Sequence, residues 1–103
     1  MAYQEVIHAL ADPTRRRLFE ALRERPLSVG ELADTQPVSR PAVSQHLRVL
    51  ERARLVSFEA RGNKRLYSIS KRGLEELRRY VDSFWTDVLA AYGAEIVRRN
   101  TKE

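Results

Sequence analysis

Apolar residues fall first into helical spacing, then into alternation, then into helical spacing again. Tyr3, Val6, Ile7 and Leu10 recur every three or four residues, which aligns them along one stripe of a short first helix. Asp12 followed by Pro13 has the form of a helix N-cap with proline at the first helical position, where its missing N–H costs nothing. Leu18, Phe19 and Leu22 give this second helix its buried face, and Pro26 stops it. Ser28 and Glu31 stand at the spacing of a capping box, in which each side chain accepts from the other residue's backbone N–H. They predict a third helix that ends near Thr35, with Leu32 and Ala33 turned inward.

Pro37 and Val38 form a short turn, after which Ser39 caps a fourth helix whose inward positions are Val43, Leu47 and Leu50. Two short helices joined by a tight turn describe a helix-turn-helix. The period then changes to two: Leu55 to Ala60 and Arg65 to Ser70 alternate in polarity, with Val56 and Phe58 expected opposite Tyr67 and Ile69. Gly62 and Asn63 mark the hairpin turn between them. Ser70 can cap a last helix running to about Arg98, with Leu74, Leu77, Val81, Phe84 and Val88 on one stripe. Trp85, Leu89, Tyr92 and Ile96 form an adjacent stripe.

The expected fold is mainly α with a small β-hairpin, a winged helix-turn-helix of order α-α-α-α-β-β-α in a single domain over 1–103. The recognition helix falls at about 39–53, the wing at about 55–70 and a dimerisation helix at about 71–98. A last helix of about seven turns outruns so small a core, so its wide apolar face is expected to meet another copy. Tyr3, Val6, Ile7, Leu10, Val81, Phe84, Trp85, Val88, Leu89 and Tyr92 are the expected homodimer interface through the first and last helices. Phe84, Trp85 and Tyr92 are read as packing rather than as the lining of a ligand pocket.

Length and charge narrow the function. A chain of 103 residues suits one compact core, and 43% hydrophobic with 32% charged residues is far from a disordered composition. The net charge of +5 points to an anionic partner. With no cysteine there are no disulfides, thiolate metal sites or thiol nucleophiles. No apolar run approaches the roughly 20 residues that span a bilayer, so a soluble cytoplasmic protein is expected.

If Val43, Leu47 and Leu50 point inward, then Arg40, Pro41, Ser44, Gln45 and Arg48 lie on or near the solvent side of the fourth helix, beside Ser39 at its cap. Arginine can pair bidentately with guanine and glutamine with adenine, while serine serves base edges or phosphate. From Arg61 to Arg72 no acidic residue interrupts Arg61, Lys64, Arg65, Lys71 and Arg72. A hairpin tip carrying Arg61, Lys64 and Arg65 has the form of a wing lying against a phosphate backbone. Arg15, Arg16 and Arg17 oppose the dipole of the second helix, and either a phosphate contact or salt bridges would explain them. His46 is read as structural, and His8 has no evident partner. No serine-histidine-carboxylate set, paired carboxylate motif or phosphate-binding glycine loop is present, so neither an enzyme nor a cofactor is expected.

The runs Ala11-Asp12-Pro13-Thr14-Arg15-Arg16-Arg17-Leu18 and Pro41-Ala42-Val43-Ser44-Gln45-His46-Leu47-Arg48-Val49-Leu50, with the hairpin ending Arg65-Leu66-Tyr67-Ser68-Ile69, closely resemble the ArsR family of bacterial repressors. The resemblance implies a winged-helix homodimer on double-stranded DNA carrying a two-fold symmetric operator. It also raises metal sensing, through a Leu-Cys-Val-Cys pattern at the start of the third helix or through Asp, His and Glu on the last. Here the first reads Leu27-Ser28-Val29-Gly30, without sulfur donors for a soft metal. The last helix carries Asp82, Asp87 and Glu95 but no histidine, a poor zinc set. The expectation is therefore a regulator without a metal. The rival reading keeps the winged fold but uses its basic surface on an acidic protein partner.

Overall fold

The computed structural model describes residues 2–102, with side chains described for residues 3–93. The elements in chain order are α1 (Ala2–Ala11), α2 (Pro13–Ala21), β1 (Leu27–Ser28), α3 (Val29–Ala33), α4 (Arg40–Arg52), β2 (Val56–Arg61), β3 (Lys64–Ile69) and α5 (Lys71–Lys102).

Each short helix starts where its cap demands. The Asp12 carboxylate accepts from the Arg15 backbone N–H at 2.8 Å. The Ser28–Glu31 capping box closes in both directions, at 3.2 and 3.0 Å. Ser39 Oγ accepts from the Ala42 N–H at 3.3 Å. Two of the three arginines at the start of α2 reach carbonyls of α1 rather than carboxylates. Arg15 Nη1 donates to the Ala9 carbonyl at 3.3 Å and Arg16 Nη1 to that of Leu10 at 3.0 Å. Both carbonyls lie in the last turn of α1, where no intrahelical donor remains and a positive charge is favourable. The charge that opposes the α2 dipole thus complements the end of α1.

Val6, Leu18, Leu32, Val43, Leu47, Leu50 and Leu55 are fully buried and draw α1 through α4 and the start of β2 around one core. Each such side chain contributes about 1.5–3 kcal/mol on leaving water. Val6 is thereby removed from the expected dimer interface: at 0% exposure its side chain is spent inside its own chain.

The hairpin has the expected register, Val56 opposite Ile69 and Phe58 opposite Tyr67. Arg61 and Lys64 close its turn, with Gly62 at φ +62° in the left-handed region that favours glycine. The sheet holds a third strand absent from the expected order. Leu27 pairs with Tyr67 and Ser28 with Leu66, giving the antiparallel order β1-β3-β2. Two residues are too few for alternation to show, so β1 is fixed by its partner rather than by its own pattern.

The join from α4 to β2 is a Schellman turn. Leu55 N–H donates to the Leu50 carbonyl and Arg54 N–H to that of Glu51, both at 2.9 Å, with Arg54 at φ +62°. Arg54 occupies a position usually given to glycine; buried Leu50 and Leu55 supply the hydrophobic contact that accompanies such turns. The Arg54 carbonyl then accepts from the Gly73 N–H at 2.8 Å, tying α5 to this turn.

Helix α5 begins at Lys71, directly after Ser70, and runs 32 residues, four past the expected end at Arg98. At 1.5 Å per residue it is about 48 Å long. Its first turns pack on α1, where Tyr3 and Tyr80 stack at 4.4 Å. Beyond them Val81, Phe84, Trp85, Leu89 and Tyr92 are 40–61% exposed, as is Ile7 of α1 at 45%. Tyr3, Leu10 and Val88 are half-buried. The side chains of Glu95 and Ile96 lie outside the described residues. Among the described residues no helix is long and apolar enough to cross a membrane.

Candidate nucleic-acid interface

Burial of Val43, Leu47 and Leu50 turns the opposite side of α4 to solvent. Ser39, Arg40, Pro41, Gln45 and Arg48 are exposed, and Ser44 is half-buried. Arg40 and Pro41 open the helix and Arg48 lies two turns on, so the exposed polar groups run the length of a groove-sized segment. The Ser39 hydroxyl is committed as the α4 cap, which leaves it one role in holding the helix end. His46 is half-buried close to Asp12, and its charge joins that of Arg15 in lowering the Asp12 carboxyl below its usual range. The largest cause of that lowering is the backbone N–H of Arg15. This placement fits a structural histidine.

The hairpin brings its tip beside the start of α4. Arg40, Lys64, Arg65, Asn63, Ser28 and Gly30 border one cleft of about 360 Å³, so Arg40 of α4 meets Lys64 and Arg65 of the wing across a shared space, while Pro41, Ser44, Gln45, Arg48 and Arg61 lie outside it. The three wing cations differ in surroundings. Arg61 pairs with Glu59 at 3.4 Å, both exposed, which partly cancels its charge in place. The Arg65 guanidinium lies over the Phe58 ring, 4.2 Å from its centroid, and Phe58 in turn packs on Tyr67. Lys64 is exposed and joins no ion pair among the described residues.

Two contributors escaped the sequence. Phe58 fits a plain strand pattern, and its one available signal is a large aromatic on the open side of a strand. Gly30 is the second residue of α3, a poor helix former placed inside a helix. A Cβ built there would stand 3.1 Å from Arg40 Nη2 and 3.3 Å from Arg40 Cζ, so the missing side chain makes room for the guanidinium.

Among the described residues, the positions of the two metal-ligand patterns have other neighbours. At positions 28 and 30 a hydroxyl already engaged as a cap and a bare Cα face a guanidinium, which would repel a metal cation. On α5, Asp82 is paired with Arg78 at 3.7 Å. Asp87 lies five residues on, about 140° around the helix, so the two carboxylates do not converge within one chain.

Comparison with known proteins agrees with this architecture. A helix-turn-helix domain model matches residues 10–57. The chain is 55% identical over 84 residues to the HTH-type transcriptional regulator Rv2034 of Mycobacterium tuberculosis, covering 82% of this chain and 78% of that one. It is 31% identical over 71 residues to the transcriptional repressor SdpR of Bacillus subtilis, covering 69% and 79%. Among solved structures, an ArsR family transcriptional regulator superposes with a TM-score of 0.75 at 26% identity, covering 82% of this chain and 88% of that one.

Proposed function

The chain belongs to the ArsR family of helix-turn-helix transcriptional regulators, DNA-binding proteins rather than enzymes, and we propose that it acts as a homodimeric repressor on a two-fold symmetric operator. Two copies join through α1 and α5, using Ile7, Val81, Phe84, Trp85, Leu89 and Tyr92, with half-buried Tyr3, Leu10 and Val88 at the margin. The two α4 helices then enter successive major grooves, about 34 Å apart. Gln45 and Arg48 read base edges, while Arg40, Lys64 and Arg65 hold the backbone. Bound in the cytoplasm at a promoter, the dimer excludes polymerase.

The observation that carries this reading is the cleft shared by the first turn of α4 and the wing tip, lined by three cations beside an exposed polar helix face. Selection of bound duplexes from a random DNA pool, with binding measured against salt, tests it. The expected result is a palindromic site whose affinity falls steeply with salt and whose base preference relaxes at one position in Arg48→Ala or Gln45→Ala. Salt-sensitive binding without any preferred sequence would count against the operator reading and leave an acidic protein partner open.

A further inference from the structure

Arginine is the default cation of this chain. Of its 19 lysines and arginines only Lys64, Lys71 and Lys102 are lysines, so a lysine at the wing tip departs from the rule. For gripping phosphate arginine serves better, because its planar fork donates two parallel bonds where the lysine ammonium is a point charge. What lysine offers instead is a primary amine, a nucleophile that arginine lacks. Lys64 is exposed, closes the hairpin opposite Arg61 and joins no ion pair among the described residues. The cleft it borders, about 360 Å³, is large enough for a small molecule and has no carboxylate among its lining residues. The carboxylates nearest in sequence are engaged elsewhere: Glu31 accepts from the Ser28 N–H and from Arg25, and Glu59 pairs with Arg61. Arg65 rests on the Phe58 ring and Arg40 stands across the cleft, so a lone amine is flanked by two guanidinium groups. Such a cleft concentrates small anions beside that amine.

We propose that Lys64 is an acylation site, modified directly by small acyl phosphates that the cleft draws in. The donor's phosphate rests against Arg40 and Arg65, which leaves its carbonyl carbon beside the Lys64 amine. Unprotonated Nζ attacks that carbon, and an amide bond forms as the C–O bond to phosphate breaks. Orthophosphate leaves with the electron pair of that bond, and the nitrogen releases its proton to water. An uncharged acyl donor lacks the anion that the cleft attracts, so the acyl phosphate is the favoured class. The product carries no charge at position 64, which leaves two like charges around the cleft in place of three. On DNA the same change removes one backbone cation, so acylation lowers operator affinity and acts as a release signal. That consequence rests on the reading of α4 and the wing as the DNA-binding face; the acylation itself does not.

The test incubates the full chain, free of DNA, with acetyl phosphate and quantifies acetylation at Lys64 and Lys71 by peptide mass spectrometry. Acetic anhydride, which carries no phosphate, sets the intrinsic reactivity of these two exposed amines. Relative to that reference, acetyl phosphate favours Lys64 over Lys71 by about tenfold. Excess orthophosphate removes the preference. Arg40→Ala and Arg65→Ala each reduce it, while the ratio obtained with acetic anhydride stays at the wild-type value. Fluorescence anisotropy with labelled duplexes then reads the consequence. Acetylated protein binds operator and non-specific DNA about tenfold more weakly, with the slope of log affinity against log salt reduced by about 1. Lys64→Arg, compared with its own untreated sample, does not respond to acetyl phosphate.

The same Lys64 to Lys71 ratio with both donors overturns the proposal. So does a preference that survives orthophosphate and both arginine variants, because the cleft then plays no part. Selective acetylation that leaves operator affinity and salt slope unaltered overturns the release signal, and if Lys64→Ala is also without effect the wing's contact with DNA falls with it. Weakened operator binding in Lys64→Ala, beside unselective acetylation, leaves the DNA-binding face standing and removes the acylation site alone.

Discussion

Gly73→Ala sets helix propensity against backbone sterics. Position 73 lies in the first turn of α5, where alanine in place of glycine would ordinarily gain about 1 kcal/mol. A Cβ there would stand 2.7 Å from the Ala53 carbonyl oxygen, 2.8 Å from that of Arg54 and 2.9 Å from the Arg54 carbonyl carbon. All three atoms are backbone in the Schellman turn, held by the Arg54 and Leu55 N–H bonds, so no side-chain rotation can relieve the crowding. Separation to ordinary contact needs a shift of about 0.7 Å, which also stretches the 2.8 Å Gly73–Arg54 hydrogen bond. Overpacking of this kind costs about 1–3 kcal/mol and the weakened bond about 1 more. After the propensity gain, the net loss is about 1–3 kcal/mol, and urea denaturation of the variant beside wild type measures it. Gly93→Ala is the control, since its Cβ would meet nothing nearer than Leu89 Cβ at 4.0 Å, and it should hold or gain stability. If Gly73→Ala is as stable as wild type, the close approach that anchors α5 is not a constraint and the argument fails.

Two further predictions concern assembly and acid stability. Trp85 is 53% exposed and belongs to a class of side chain presenting about 150–250 Å²; covered twice in a two-fold dimer, that surface makes Trp85→Ala cost about 3–5 kcal/mol of association. Sedimentation velocity should show a wild-type dimer and a variant shifted to monomer at micromolar concentration, whereas an unshifted variant removes Trp85 from the interface. Asp12 and Glu31 both sit below their ordinary values of 3.8 and 4.5, because backbone N–H groups of Arg15 and Ser28 favour the carboxylates. Their stabilisation is present above the ordinary values and is lost as pH falls through the lowered ones; Asp12→Asn, a neutral cap, should flatten that part of an acid melting series.

Features set by local chemistry were legible in the sequence. The caps at Asp12, Ser28 and Ser39 and the Gly62-Asn63 turn each depend on residues within three positions, and the buried set Val43, Leu47 and Leu50 follows from helical period. What escaped depends on contacts distant in sequence. Strand β1 exists through Leu66 and Tyr67, nearly 40 residues on, and the roles of Arg15 and Arg16 depend on where α1 ends. Val6 illustrates the limit of periodicity: its stripe is apolar throughout, but only the packed fold distinguishes the fully buried Val6 from Ile7 at 45% exposure. Gly30 and Phe58 belong to the same class, since each matters through a single arginine that another element brings to it.

The distribution of charge says more than its sum. The net +5 is not spread evenly over the surface, because much of the basic complement is already occupied. Arg15 and Arg16 complete the end of α1, Arg23 and Arg25 face Glu20 and Glu31, and Arg78 and Arg79 face Asp82 and Glu76. Exposed pairs of this kind add little stability, but each removes a cation from the long-range field. Among the described residues Arg17, Arg40, Arg48, Arg52, Arg54, Lys64, Arg65, Lys71 and Arg72 have neither an ion pair nor a carbonyl contact like those of Arg15 and Arg16, and Arg40, Arg48, Arg52, Lys64 and Arg65 lie on α4 or the wing. The uncompensated charge is therefore weighted toward the side that faces DNA in the proposed complex, with the remainder on α2, in the α4–β2 turn and at the start of α5. An electrostatic steering surface follows from that placement: association with duplex should slow with salt, and neutralising Arg23 or Arg78 should change the rate far less than neutralising Lys64, although each removes one unit of charge.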